Sequence, residues 1–336
     1  MILTGFRRLI AVVAICQALG WITPAQAGPH SALYTFGDSL SDVGNVFAAS
    51  GGTEPAPPYF AGRFSNGPIW LDDLAARLGT GPMIPSLLGG TDYAFGSATT
   101  GYPQTLSTPS LVPTFVQQVA LFNAATHGVA PSTALYAVWI GGSDLLNVLQ
   151  SGAAAAQALA LMQGAAATAA TETAALIGAG ARNLLVGLLP DAGKVPTVIA
   201  LGPAAAAAAS TLAAAYNTAL EADLLGLIAA GANLSYLDAF SLVDAAVADP
   251  GAFGLSNVTD PCYIGPLTGG GTVCATPDQY LFWDGEHPSS ASHAILAAAA
   301  ADALVPEPGT LSLLAFGLVG LLVCRRAHLR GRPPAI

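Results

Sequence analysis

Positive charge is scarce in this chain. Lys194 is the single lysine, and lysine and arginine together number 10 against 20 acidic residues in 336 positions. A protein so poor in cations repels phosphate backbones, which argues against nucleic acid as a partner. Arg7, Arg8, Arg325, Arg326, Arg330 and Arg332 lie near the two ends, so residues 28–304 retain only Arg63, Arg77, Arg182 and Lys194. Cysteine is also rare. Cys16 and Cys324 sit in the end segments, leaving Cys262 and Cys274, with no second cysteine pair or histidine cluster to complete a metal site. The chain has no Gly-x-Ser-x-Gly turn, metalloprotease helix motif, phosphate-binding glycine loop or dinucleotide fingerprint. Chemistry that needs no cofactor and no metal is what remains.

The ends carry export features. Arg7-Arg8 precede the apolar stretch Leu9–Leu19, and Ala25-Gln26-Ala27 fits a signal-peptidase site, so residues 1–27 read as a signal peptide. In an oxidising compartment, Cys262 and Cys274 are expected to form one disulfide. Residues 305–336 form a second address. Val305-Pro306-Glu307-Pro308-Gly309 leads into an uncharged run, Leu311–Cys324, and then into arginines. That run is shorter than the roughly 20 apolar residues of a spanning helix, and its arginine flank would stay cytoplasmic. The order resembles the PEP-CTERM sorting signal of Gram-negative bacteria. The resemblance implies export across the inner membrane, an exosortase-type sorting partner and a periplasmic, cell-surface or extracellular destination, with transient C-terminal membrane anchoring.

Between the ends, β-prone runs alternate with alanine-rich segments, the pattern of parallel strands joined by helices in an α/β domain. Strands are expected at Leu33–Phe36, Leu135–Ile140, Asn183–Leu188 and Leu234–Leu237, and long helices at Ala153–Gly178 and Ala204–Ala230. A last helix spans about Ser289–Leu304. Residues 50–114 are rich in glycine and proline, with one convincing helix at Ile69–Leu78, and read as the walls of a substrate cleft. No repeat of fixed period is present.

Ser39 stands just after the first strand, where an open α/β sheet places ligands. A serine hydroxyl needs a base, and the base needs an orienting group; His287 and Asp284, three residues apart, can supply both. Ser39 with Asp42 also fits a helix cap. The longer string Gly37-Asp38-Ser39-Leu40-Ser41-Asp42-Val43-Gly44-Asn45, followed by Gly62-Arg63-Phe64-Ser65-Asn66-Gly67 and Trp70, resembles the GDSL esterase/lipase family of the SGNH hydrolases. Asp92-Tyr93-Ala94-Phe95-Gly96 resembles that family's second block, Ile140-Gly141-Gly142-Ser143-Asp144 its third, and Asp284-Gly285-Glu286-His287-Pro288 its last.

The resemblance implies a three-layer, flavodoxin-like SGNH-hydrolase fold over residues 28–304, with a mostly parallel central sheet of about five strands. It implies Ser39 as nucleophile, His287 as general base and Asp284 as its orienting carboxylate. The oxyanion hole would comprise the amides of Ser39 and Gly96 with the side chain of Ser143, which stands where the family has asparagine. A lipid, a short acyl ester or an acylated polysaccharide is the expected substrate. Deacetylation of polysaccharide, acyl transfer and a weakly active surface or matrix binding role are the rival functions. His293 is a surface residue or a rival base, while Asp38 and Asp144 brace loops or cap helices. Arg63 and Asn66 order the cleft wall or form a turn.

Overall fold

The computed structural model describes residues 30–103, 112–229 and 231–305; the expected leader of residues 1–27 and the apolar run Leu311–Cys324 lie outside them. Among the described residues, no helix is long and apolar enough to cross a membrane.

In chain order, β1 (Leu33–Gly37) is followed by the short helix α1 (Asn45–Ala49), α2 (Trp70–Leu78) and α3 (Phe115–Ala125). Next come β2 (Leu135–Trp139), α4 (Gly142–Gln150), α5 (Ala155–Ala179), β3 (Asn183–Leu188), α6 (Pro196–Ile199) and α7 (Pro203–Ala229). The chain continues with β4 (Asn233–Asp238), α8 (Ala239–Ala248), β5 (Asn257–Pro261), β6 (Tyr263–Ile264), β7 (Thr272–Val273), β8 (Tyr280–Phe282) and α9 (Ser290–Ala303).

The central sheet is parallel, in the order β1-β2-β3-β4. β2 and β3 are nearly continuous apolar runs because both of their faces are covered, whereas the edge strand β4 is more polar and largely part-exposed. Alternation still sorts the side chains: Phe36, Tyr136, Val138, Leu184 and Val186 join one core, whereas Leu33, Leu135, Ala137, Trp139 and Leu185 join the other. The first core is completed by α3, α5 and α7, the second by α2 and α9. Alanine runs pack well here because small side chains let helices approach closely. On α5 the buried stripe includes Ala158, Met162, Ala165, Ala169 and Leu176 at helical spacing.

Four strands, rather than about five, make up the central sheet among the described residues. The fifth position, outside β1, is taken by residues 91–95, which run parallel to β1 but form only an isolated bridge at Thr35 and Asp92. Three backbone bonds join the two segments: Thr35 N to Thr91 O, Tyr93 N to Thr35 O and Phe95 N to Gly37 O. Side-chain bonds replace further ladder pairing. Asp92 Oδ1 accepts from Thr35 Oγ1 and the Ala94 amide, and its Oδ2 accepts from the Val43 amide.

This arrangement determines where a site can form. After β1 the chain first lays residues 91–95 on one side of that strand and then crosses to lay β2 on the other. The C-terminal end of β1 is therefore the topological switch point, where parallel sheets open a crevice.

A smaller body follows β4. The pair β5-β8 and the hairpin β6-β7 form two-stranded sheets, and Cys262 and Cys274 are joined by a disulfide with a Cα separation of 4.8 Å. Tyr263 stacks on Trp283 with centroids 5.4 Å apart, and Tyr59 packs edge-on against both rings. Asp284 begins immediately after this aromatic cluster.

Candidate active site

β1 ends at Gly37, where no side chain fits: a Cβ there would lie 2.2 Å from Trp139 O. Gln118 on α3 clamps this residue, accepting from Gly37 N at 2.9 Å and donating to Gly37 O at 2.8 Å. The chain then turns sharply, with the amides of Ser41 and Asp42 both donating to Asp38 O. Ser39 is thereby carried to the crevice on a short loop braced by these bonds.

Asp42 secures the far side of the turn. Its Oδ1 accepts from the amides of Gly44 and Asn45, and its Oδ2 from Val46 and Gly96. The capping carboxylate at the start of α1 is thus Asp42, which leaves the Ser39 hydroxyl for another partner. Burial raises Asp42 to about 6, opposed by those same amides, and it raises Asp92 as well, with the nearby Asp42 charge adding to the effect.

The other half of the site comes from residues 284–287. The Asp284 Oδ1 accepts from the amides of Glu286 and His287, each at 2.8 Å, folding the segment into a tight turn. Thr197 on α6 fixes its middle, donating through both its amide and its hydroxyl to Gly285 O. In consequence His287 Nδ1 lies 2.9 and 2.8 Å from the two Asp284 oxygens, and His287 Nε2 lies 2.8 Å from Ser39 Oγ. Two residues separated by 248 positions meet end to end.

The electrostatics suit proton transfer. Burial opposes a charged His287 ring, but the Asp284 carboxylate, aided by Glu286 and Asp38, outweighs it and holds the imidazole above its ordinary pKa. Burial pushes Asp284 the other way, yet the His287 charge and the bonds it accepts keep its pKa below the usual value. Asp38, buried beside the serine, is raised to about 7 by desolvation, opposed by the Leu40 amide. An imidazole held in this tautomer can take the Ser39 proton at Nε2 while Asp284 steadies Nδ1.

Sequence reasoning missed three supports. Tyr59 donates its hydroxyl to Asp284 Oδ2 at 2.7 Å, and Phe64 lies against the His287 ring at a centroid distance of 5.2 Å. Ser97, with φ of 65°, is exposed and lines the crevice beside Ser39. No motif pointed to Tyr59, because its role exists only through the aromatic cluster. The phenylalanine of Gly-Arg-Phe-Ser-Asn-Gly was visible in the sequence, but its contact was not.

Gly96 requires a correction. Its amide does not face the crevice; it donates to Asp42 Oδ2 at 2.9 Å. Gly96 is buried beneath Phe64, whose ring would lie 2.3 Å from an added Cβ. The glycine is needed for that close approach, while the next residue, Ser97, turns outward. Ser143 lines the crevice from the first turn of α4.

The remaining polar residues sort out plainly. His293 is neither a surface residue nor a rival base: it is buried, its Nδ1 accepts from the Trp70 amide at 3.3 Å, and burial with the nearby His287 charge lowers it to about 3. Asp144 braces a loop by accepting from the amide and hydroxyl of Thr100. Arg63 pairs with Asp72, and Asn66 accepts from the Ser290 amide, tying the loop before α2 to the start of α9. Of residues 50–103, Phe64 and Ser97 reach the crevice, so the region is mainly a brace. Among the described residues, no group of three or more His, Cys, Asp and Glu is placed to hold a metal ion.

Comparison with known proteins places the chain in a family. The GDSL-like lipase/acylhydrolase family model matches residues 33–300, and the PEP-CTERM protein-sorting motif matches residues 304–327. A GDSL esterase/lipase of Arabidopsis thaliana is 27% identical over 84% of this chain and 93% of its own length. The thermolabile hemolysin of Vibrio parahaemolyticus is 26% identical over 82% of this chain and 65% of its own. The extracellular lipase of Streptomyces rimosus superposes with a TM-score of 0.41 at 15% identity, covering 81% of this chain and 99% of that one. The chain belongs to the GDSL-like lipase/acylhydrolase family and carries the PEP-CTERM sorting motif at its C-terminal end.

Proposed function

We propose that residues 28–304 form an exported serine carboxylic-ester hydrolase that works through an acyl-Ser39 intermediate. The observation carrying this reading is the unbroken hydrogen-bonded chain from Ser39 Oγ through His287 to Asp284. Ser39 attacks the ester carbonyl as its proton passes to His287 Nε2. The same proton then leaves with the alcohol, and water, deprotonated by His287, releases the acid. Donors for the developing oxyanion are the amides of Ser39 and Ser97, with the Ser143 hydroxyl as the third. The exposed, left-handed turn at Ser97 supports this assignment over Gly96, whose amide is already engaged.

In this reading residues 1–27 are a leader removed on export, and residues 305–336 are a tail handled by exosortase-type machinery. Lipid or short acyl esters fit the proposed chemistry. A weakly active binding role is favoured by one observation, the serine at position 143, since an oxyanion donor is worth roughly 10²–10³ in rate and a hydroxyl is a shorter, less fixed donor than an asparagine amide.

The test is hydrolysis of p-nitrophenyl esters by the purified protein and its Ser39→Ala variant. Turnover abolished by the substitution supports the enzyme. Equal turnover by both proteins removes Ser39 from the mechanism, and no turnover by either favours the binding role.

A further inference from the structure

The loop closed by the disulfide reaches the catalytic crevice. Leu267, which lies between Cys262 and Cys274, lines that crevice together with Phe64, Ser97 and His287. Three contacts seat the loop. Leu267 O accepts from the Ala56 amide at 2.7 Å, and Pro266 O accepts from the Tyr263 hydroxyl at 2.9 Å. Gly269, with φ of 86°, approaches residue 57 so closely that an added Cβ would lie 2.5 Å from Pro57 O. The half-buried Leu267 side chain then packs on the cluster of Tyr59, Tyr263 and Trp283.

That cluster belongs to the side of the crevice that holds the base. Tyr59 donates to Asp284, and the Trp283 amide donates to His287 O. Phe64, against the His287 ring, shares this side. The remaining apolar lining has other origins: Leu145 and Leu146 come from α4, Leu189 from the segment after β3, and Val198 from α6.

Proton return assigns the two sides. His287 Nε2 must hand its proton to the alcohol oxygen, which therefore lies within roughly 2.6–3.2 Å of the imidazole, while the acyl carbon stays bonded to Ser39 Oγ. Side chains gathered around His287 meet the alcohol portion first. Phe64 and Leu267 offer no hydrogen bond, so a sugar hydroxyl desolvated against them would be left unpaired. The polar lining does not replace it. Ser97 and Ser143 are assigned to the oxyanion, Asp38 is bonded to the Leu40 amide, and Glu286 is exposed to water, where a hydroxyl gains little from it.

We propose that Leu267 is a specificity-determining residue for the alcohol half of the ester, making the site select esters of apolar alcohols over acylated sugars. The inference rests on the ester-hydrolase reading above and deepens it.

The test fixes the acyl group and varies the alcohol, measuring kcat/KM for methyl, butyl and hexyl acetate and for 6-O-acetylglucose, with wild type and Leu267→Asn. Wild type should gain about fourfold for each alcohol methylene that reaches Leu267 and should prefer hexyl acetate to the acetylated sugar. Leu267→Asn, similar in volume, should cut the ratio of hexyl to methyl acetate about tenfold, mainly through KM. Where that variant does not fold, Leu267→Ala reads the same ratio. A ratio unchanged in a folded variant overturns the proposal, as does a wild-type preference for the acetylated sugar.

Binding of the fluorescent alcohol 2-naphthol separates this idea from the catalytic one. Saturable binding to Ser39→Ala, weakened about tenfold by adding Leu267→Asn, supports the alcohol site even where no ester is turned over. Binding that the second substitution leaves unchanged, or no saturable binding at all, overturns it.

Discussion

The hydroxyl of Tyr59 donates to Asp284 Oδ2 at 2.7 Å, joining residues 225 positions apart. Tyr59 is itself held edge-on against Tyr263 and Trp283, beside the Cys262–Cys274 disulfide. The small disulfide-bearing body is thus mechanically connected to the carboxylate that orients His287. Tyr59→Phe keeps the ring packing and deletes only this bond. A hydrogen bond to a charged group contributes roughly 1.5–3 kcal/mol, so kcat/KM should fall about tenfold or more and the melting temperature should drop by several degrees. With one donor lost, Asp284 should attract the imidazolium proton more strongly, moving the acid limb of the pH–rate profile upward. Steady-state kinetics across pH on a short-chain ester checks both effects.

The pH dependence of the intact protein follows from His287. The ring must be neutral to accept the Ser39 proton, and Asp284 together with Glu286 and Asp38 raises its pKa above the usual 6.5 against the effect of burial. Activity should therefore rise with pH through a midpoint above 6.5, and Asp284→Asn should lower that midpoint as well as the rate. A profile of kcat/KM against pH with a wild-type midpoint at or below 6.5 would contradict this account.

Gly96→Ala discriminates packing from oxyanion binding, because it retains the backbone amide. An added Cβ would meet the Phe64 ring at 2.3 Å and Val46 at 3.2 Å. Overpacking of this kind costs about 1–3 kcal/mol and should push Phe64 against or off the His287 ring. Both stability and kcat should fall. Combining it with Phe64→Leu should recover part of the loss in thermal melts, which a pure oxyanion role for Gly96 would not predict.

Ser143→Asn tests the third donor. The residue lines the crevice at the start of α4, and a planar amide there reaches farther than a hydroxyl. We expect kcat to rise up to about tenfold with KM little altered, the signature of an interaction made mainly in the transition state. An unchanged or lower kcat would mean that the site is already built around serine.

The Asp284-x-x-His287 spacing, the strand preceding Ser39 and the alternation of β-prone and alanine-rich segments were readable because local chemistry sets each of them. A turn brings residues three apart together, β-branched and aromatic residues favour strands, and alanine favours helix whatever the rest of the chain does. Membership of the hydrolase family was legible for the same reason: its blocks are short strings, each complete in itself. Other features depend on contacts between distant segments, and those leave no local mark. Whether residues 91–95 complete a ladder or stay an isolated bridge depends on how Asp92 bonds across to Thr35 and Val43. Whether Gly96 or Ser97 faces the crevice depends on Asp42 and Phe64. The Tyr59–Asp284 bond and the entry of Leu267 into the crevice likewise arise only when separate elements pack. Sequence alone therefore pointed to the groups proposed to carry the chemistry, since that follows from side-chain type and short spacing. Folding settled their orientation and the space beside them, since hydrogen-bond direction and volume belong to neighbours brought together from far along the chain.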